Sequence, residues 1–215
     1  MNIFAKEEVA NSYDSYYETE FGKKVDELEQ AALLEVIKDI PRTKLLELGT
    51  GTGHWTEFFV NQGFTVTATD VSEAMFAHAR EKLVGKVEFR KADILNLPFE
   101  SESVDAIAVI AALEFCEDQM QAFANIYRVL KPKGWLIVGC LNANSTLGKT
   151  KDDDPVYRYG HFMSKSDIET YLESFGEPTI IECVHLSDKM EVLDGTPEAE
   201  NVPGAFIAAC VQKID

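Results

Sequence analysis

The sequence predicts a three-layer α/β sandwich whose seven-stranded sheet is mostly parallel, with one antiparallel strand in its edge region. Three observations carry that expectation. Apolar strand-like runs alternate with amphipathic helical runs over residues 43–141, the pattern of a parallel sheet covered by helices on both faces. A glycine loop, "LGTGTG", follows the first strand-like run, and strand, glycine loop, helix is the order that opens a ligand crevice in such sheets. The last two strand-like runs have no helix between them, so they read as a hairpin that adds an antiparallel strand. A chain of 215 residues with 46% hydrophobic content is long enough for one well-buried domain, and a single domain over 1–215 is expected.

The elements follow in order. "KEEVANSYDSYYETEFGKKVDELEQAALLEVIKDI" reads as helix with a break near Phe21 and Gly22, and Pro41 ends it. Residues 1–40 are therefore a helical cover ahead of the first strand. "TKLLEL" has the length of a buried strand, and "HWTEFFVNQG" sets Trp55, Phe58 and Phe59 at helical spacing before stopping at Gly63. "FTVTATD" alternates threonine with apolar residues and closes on Asp70; the helix "SEAMFAHAREKL" follows, with Ser72 as its cap. Next come a short strand "KVEFRKAD", a loop "ILNLPFESES", the apolar strand "VDAIAVIAAL" and the helix "DQMQAFANIYRVL". "KPKG" turns the chain into the strand "WLIVGCL". The polar stretch "NANSTLGKTKDDDPVYRYGHF" is too long for a simple connection, and residues 142–163 are expected to form a lid hinged near Gly148 and Gly160. "SKSDIETYLESFG" is a helix with Ser164 as cap. The two last strand-like runs, near 179–186 and 204–212, are joined by "SDKMEVLDGTPEAENVP".

Composition excludes several functions. With 37 acidic and 20 basic residues the net charge is −17, which repels phosphate backbones and argues against nucleic-acid binding. The longest apolar runs, "VDAIAVIAALEF" and "WLIVGCL", fall short of the roughly 20 residues of a membrane helix. The first residues lack the charged start and apolar core of a secretion signal, so a cytoplasmic protein is expected. Cys116, Cys140, Cys183 and Cys210 have no CxxC spacing; the last three sit in apolar runs and read as buried, reduced thiols. No HExxH, histidine cluster or paired-carboxylate pattern suggests a metal.

Glycine lets backbone approach a ligand more closely than any residue with a Cβ. In "GTGTGHW" the position of a third dinucleotide-type glycine is His54, which disfavours a nicotinamide dinucleotide. Asp70 lies 21 residues after Gly49 at a strand end, where a carboxylate can receive both hydroxyl protons of a ribose.

Together, "LLELGTGTG", "TATDVSEAM", "KADILNLPFESESVDAIAVIAALEF" and "IYRVLKPKGWLIV" resemble the class I S-adenosylmethionine-dependent methyltransferases, in their small-molecule branch. The likeness runs from about Tyr13 to Phe175, with four motifs in the family's order and spacing. It implies a Rossmann-like fold, S-adenosylmethionine as methyl donor with S-adenosylhomocysteine as product, and a small-molecule acceptor methylated by in-line displacement. Glu47 is then expected beside the ammonium of the methionine part, and Gly49, Thr50 and Gly51 against methionine and ribose. Asp70 would hold the ribose, Val71 and Met75 would flank the adenine, and Asp93 with the Ile94 N–H would read its edge. Ala111 is expected near the sulfonium, Glu114 and Phe115 along the acceptor pocket, and Tyr13, with Tyr17, folded over the cofactor. Glu114 and His161 are the only candidates for a base. The sequence departs from the family where "LELGT" replaces "LELGC" and where "KPKG" leaves Lys133 in the place of a glycine. An NAD(P)-linked oxidoreductase and a non-catalytic S-adenosylmethionine-binding protein remain as alternatives. The chain is expected to act as a monomer or homodimer.

Overall fold

The computed structural model describes residues 3–215, so the first two positions of the expected helical cover lie outside the described residues. Strands β1 (Lys44–Leu48), β2 (Thr65–Asp70), β3 (Glu88–Lys91), β4 (Val104–Ile110), β5 (Leu130–Leu141), β6 (Thr179–His185) and β7 (Gly204–Gln212) make one sheet in the order β3-β2-β1-β4-β5-β7-β6. The first five pair in parallel among themselves, while β7 runs antiparallel to both β5 and β6. This is the Rossmann-like arrangement expected, with the hairpin strand inserted inside the sheet edge. Strand order reverses between β1 and β4, which opens a crevice at their C-terminal ends.

Side-chain alternation divides the core into two layers. On one face Leu45, Val66, Ala106 and Ala108 pack under helices α2 (Glu20–Ile37) and α3 (His54–Asn61), through Leu33, Ile37, Trp55 and Phe59. On the other, Leu46, Leu48, Ile107 and Val109 pack under α5 (Gln119–Val129) and, further along the sheet, α7 (Lys165–Glu173). The helix between them in the chain, α4 (Glu73–Lys82), buries Met75, Phe76 and Ala79. Its cap Ser72 accepts from the Met75 N–H, and Ser164 with Asp167 forms a reciprocal capping box on α7.

Three local expectations are corrected. The N-terminal helix breaks earlier than Phe21 and Gly22: α1 (Glu7–Tyr13) gives way to a 3-10 stretch, Asp14–Glu18, and Thr19 caps α2 by accepting from the Gly22 N–H at 2.9 Å. Gly22 is not a breaker but a point of close approach, since a Cβ there would lie 2.0 Å from the Tyr16 carbonyl oxygen. The segment 142–163, read as a polar stretch hinged near Gly148, is in part helical. It holds α6 (Thr146–Thr150) and two single 3-10 turns, Lys151–Asp153 and Tyr157–Tyr159, and Gly148 sits inside α6 with its N–H bound to the cap Ser145 at 3.0 Å. "KPKG" is absorbed into β5 with Lys133 at φ +62°, the left-handed conformation a glycine would take freely. No helix among the described residues is long and apolar enough to cross a membrane.

Candidate functional site

The glycine loop joins β1 to α3 and is tied down by β2. Gly49 and Thr50 donate their N–H groups to the Thr69 carbonyl at 2.8 and 3.0 Å, and Gly51 donates to Asp70 Oδ2 at 2.8 Å. Gly49 has φ +76°, and a Cβ there would stand 2.5 Å from the Ala112 Cβ, so the loop passes the end of β4 too closely for a side chain. Asp70 Oδ1 accepts from the Ser72 N–H at 2.8 Å. Burial raises the Asp70 carboxyl above its ordinary range, against the pull of the N–H groups of Ser72, Gly51 and Val71.

This loop floors a cavity of about 690 Å³, within the range of roughly 300–1,000 Å³ usual for small-ligand sites. Tyr13, Tyr17, Gly49, Thr50, Gly51, Asp70, Val71, Met75, Asp93, Ile94 and Ala111 all line it, so the structure brings eleven of the twelve residues expected at the cofactor to one cavity. His161 lines it as well; its backbone N–H donates to the Glu114 carbonyl at 2.6 Å. Asp93 is exposed and accepts from the Leu95 N–H at 2.9 Å through one oxygen.

Glu47 and Glu114 stand behind the wall rather than on it. Glu47 shares the β1 face of Leu45 and points under α3, where its Oε2 accepts from Thr56 Oγ1 at 2.5 Å and Thr50 Oγ1 at 3.3 Å. Burial pushes its carboxyl up to about 7, against the two threonine hydrogen bonds. Its contact with the cavity therefore runs through Thr50. Glu114 is fully buried; its Oε1 accepts from the Leu141 N–H, and its Oε2 has no partner among the described residues. Burial pushes it up to about 7.

Ala111 has φ +50°, unusual for a residue with a Cβ, and is held there by its N–H bond to the Gly139 carbonyl at 2.8 Å. It lines both the first cavity and a second of about 380 Å³. Phe4, Tyr13, Tyr17, Trp55 and Phe115 are likewise shared, so the two cavities adjoin along this wall. The second cavity is otherwise built from α2, the stretch after α6 and the C-terminal hairpin: Phe21, Glu29, Tyr157, Val184 and Phe206. Sequence reading missed Glu29. Its signal was an acid on the inward stripe of α2, between Val25 and Leu33. No lysine or arginine lines either cavity among the described residues.

The N-terminal segment is strapped across the mouth of the crevice. Ser72 Oγ donates to the Phe4 carbonyl at 2.7 Å, and Asp14 accepts from Thr52 Oγ1 at 2.6 Å and from Lys82 Nζ at 2.9 Å. Tyr17 stacks on His54 with ring centroids 3.8 Å apart, and His54 Nε2 lies 2.7 Å from Asp26.

Residues 46–138 match a family model described as a methyltransferase domain. An uncharacterized protein of Methanocaldococcus jannaschii is 30% identical over 226 aligned residues, covering all of both chains. The demethylmenaquinone methyltransferase of Clavibacter sepedonicus is 31% identical over 134 residues; the match takes in 61% of this chain and 54% of that protein, about half its length. Among solved structures, a Thermotoga maritima S-adenosylmethionine-dependent methyltransferase, described as a possible histamine N-methyltransferase, superposes with a TM-score of 0.73. It covers 97% of this chain and 98% of its own, at 24% identity.

Proposed function

Because the chain belongs to the class I S-adenosylmethionine-dependent methyltransferases, we propose that it methylates a small-molecule acceptor, with the donor in the larger cavity and the acceptor in the smaller one. The observation that carries this reading is the pairing of two adjoining cavities that meet at Ala111. S-adenosylmethionine, when bound, supplies a methyl group already activated by a positive sulfonium and open to in-line displacement.

The residues present suit that donor. Asp70 offers a ribose a carboxylate fixed by two backbone N–H groups, and Asp93 with Ile94 offers an adenine edge an acceptor and a backbone donor. A wall without lysine or arginine suits a ligand bearing ammonium and sulfonium charges better than the pyrophosphate of a dinucleotide. Methyl transfer chiefly needs alignment and exclusion of water. Tyr13, Tyr17 and Phe115 stand at the shared wall and can exclude it, and the strap through Asp14 holds the first two in place.

The test is to incubate the protein with methyl-labelled S-adenosylmethionine and a cell extract, then separate the products by size. Label is expected in a low-mass product. Label found only in protein or nucleic acid would overturn the small-molecule assignment.

A further inference from the structure

The stripe of α2 that runs through the buried Val25, Leu33 and Val36 also carries Glu29. Val25, Leu33 and Val36 are buried in the core, so Glu29 occupies a position the helix otherwise gives to apolar side chains. An unpaired acid in such surroundings destabilises the fold, which points to a role in the site. The Glu29 carboxylate opens on the smaller cavity and makes no hydrogen bond or ion pair among the described residues. Tyr13, Tyr16, Tyr17 and Tyr157 line the same cavity, where burial, and after it the Glu29 charge, holds each phenol in the protonated form. The other acid on that wall, Asp154, is committed to the backbone N–H groups of Val156 and Tyr157 at 2.7 and 2.8 Å.

Aromatic faces around one unpartnered carboxylate, with no lysine or arginine on the wall, form a receptor for a cation. On the reading that the smaller cavity is the acceptor chamber, we propose that the acceptor is an amine. It enters as an ammonium ion paired with Glu29, whose carboxylate oxygen then takes the proton that must leave. One N–H bond breaks and one O–H bond forms, leaving the electron pair on nitrogen; that pair makes the new N–C bond as the methyl–sulfur bond breaks, its electrons going to the sulfur of the leaving S-adenosylhomocysteine. An alcohol offers no charge for Glu29 to pair with, and a carboxylic acid or phosphate would pair with neither the protonated nor the ionised form.

Burial, with Asp26 and Glu114 nearby, pushes the free Glu29 carboxyl up to about 8. Below that pH an ammonium ion entering the cavity therefore displaces one proton. The other groups facing Glu29 are accounted for. The four tyrosines and Cys183 are raised and stay neutral. Asp26 is lowered, because its hydrogen bonds from His54 and Gln30 outweigh burial. Glu114, at about 7, titrates in the same window and needs its own control.

Calorimetry on the whole protein saturated with S-adenosylhomocysteine, which has no methyl group to donate, tests the proposal without turnover. The probes are 2-phenylethylamine and n-butylamine, each against the alcohol and carboxylate of the same carbon skeleton. At least one amine is expected to bind tenfold or more tighter than its alcohol and carboxylate, releasing close to one proton at pH 6.5, read from the heats in two buffers. Glu29→Gln should abolish both the preference and the proton release, and leave S-adenosylhomocysteine affinity within twofold. Glu114→Gln should retain both. Should Glu29→Gln fail to fold, amine affinity in the wild-type protein must still rise from pH 6 to pH 8 while alcohol affinity stays flat, and the rise must persist in Glu114→Gln. No preference for either amine, a preference that survives Glu29→Gln, or a flat pH profile overturns the amine assignment. Failure of S-adenosylhomocysteine itself to bind overturns the donor-site reading instead.

Discussion

Replacing Glu114 by glutamine should change the pH dependence of stability more than stability itself. The side chain is fully buried, one oxygen accepts from the Leu141 N–H, and the other has no partner among the described residues. The fold therefore holds the protonated acid, and burial pushes its pKa from 4.5 up to about 7. A raised carboxyl contributes stability that is fully present below the unfolded value and is lost as pH climbs through the folded one. A gap of about 2.5 pH units, at about 1.4 kcal/mol each, amounts to roughly 3 kcal/mol lost between pH 4.5 and pH 8. Glutamine cannot ionise and so does not lose it. Glu29 and Glu47, raised to about 8 and about 7, make both proteins less stable over the same range, and the comparison between variant and wild type separates Glu114 from them. Urea unfolding followed by circular dichroism at pH 5, 6, 7 and 8 is the assay. Whatever the offset at pH 5, the variant should gain on the wild type steadily, by about 2.5 kcal/mol between pH 5 and pH 8. Curves that stay parallel would show that Glu114 is ionised in the fold and that the reasoning from burial is wrong.

Asp70→Ala should weaken S-adenosylhomocysteine binding by about 1–3 kcal/mol, the usual cost of losing hydrogen bonds to a charged group; calorimetric affinity within twofold of wild type would refute the ribose role. Asp93→Ala should lower affinity for adenine-bearing ligands with little effect on melting, since the side chain is exposed and supports only one local N–H. A collapsed melting temperature would make it structural. Trypsin should cut the free protein at Lys149, Lys151 and Arg158, and donor product together with acceptor should slow those cuts, because Tyr157, Tyr159 and His161 of the same segment line the cavities. Equal cleavage with and without ligands would remove the lid role.

What was legible in the sequence is what local chemistry decides. The caps Ser72 and Ser164 and the glycine loop depend on neighbours a few residues away, and each is found where expected; the hairpin was legible because no helix separates its two strands. Gly22 was misread because a glycine in a polar stretch looks like a breaker, whereas its partner is a carbonyl on the preceding turn. The alternation of β1 puts Glu47 on the face of Leu45, which packs under α3, but its partners Thr50 and Thr56 come from the loop and helix beyond the strand. Glu114 sits one turn past β4, and only the approach of the Leu141 N–H, a contact 27 residues away, draws its carboxylate inward. Glu29 was visible as an acid on an apolar stripe. Its meaning depends on tyrosines from α1, the following 3-10 stretch and the segment after α6, which no local window brings together.

The position of β7 has a consequence for how the molecule is made. It leaves the ribosome after the other six strands, yet it fills the slot between β5 and β6 and pairs with both along nearly its whole length. Until it arrives, β5 presents an unpaired edge through the apolar residues Leu136, Ile137 and Val138, a surface prone to joining other chains. The nascent protein can assemble the strands that surround the glycine loop well before this, because β1 to β4 pair only among themselves and with β5. Ala205 and Phe206, which wall the second cavity, come from β7 itself. Synthesis thus completes the floor of the larger cavity first and the smaller cavity last, so a chain cut short before residue 204 would carry the glycine loop and Asp70 without the Ala205 and Phe206 wall of the smaller cavity.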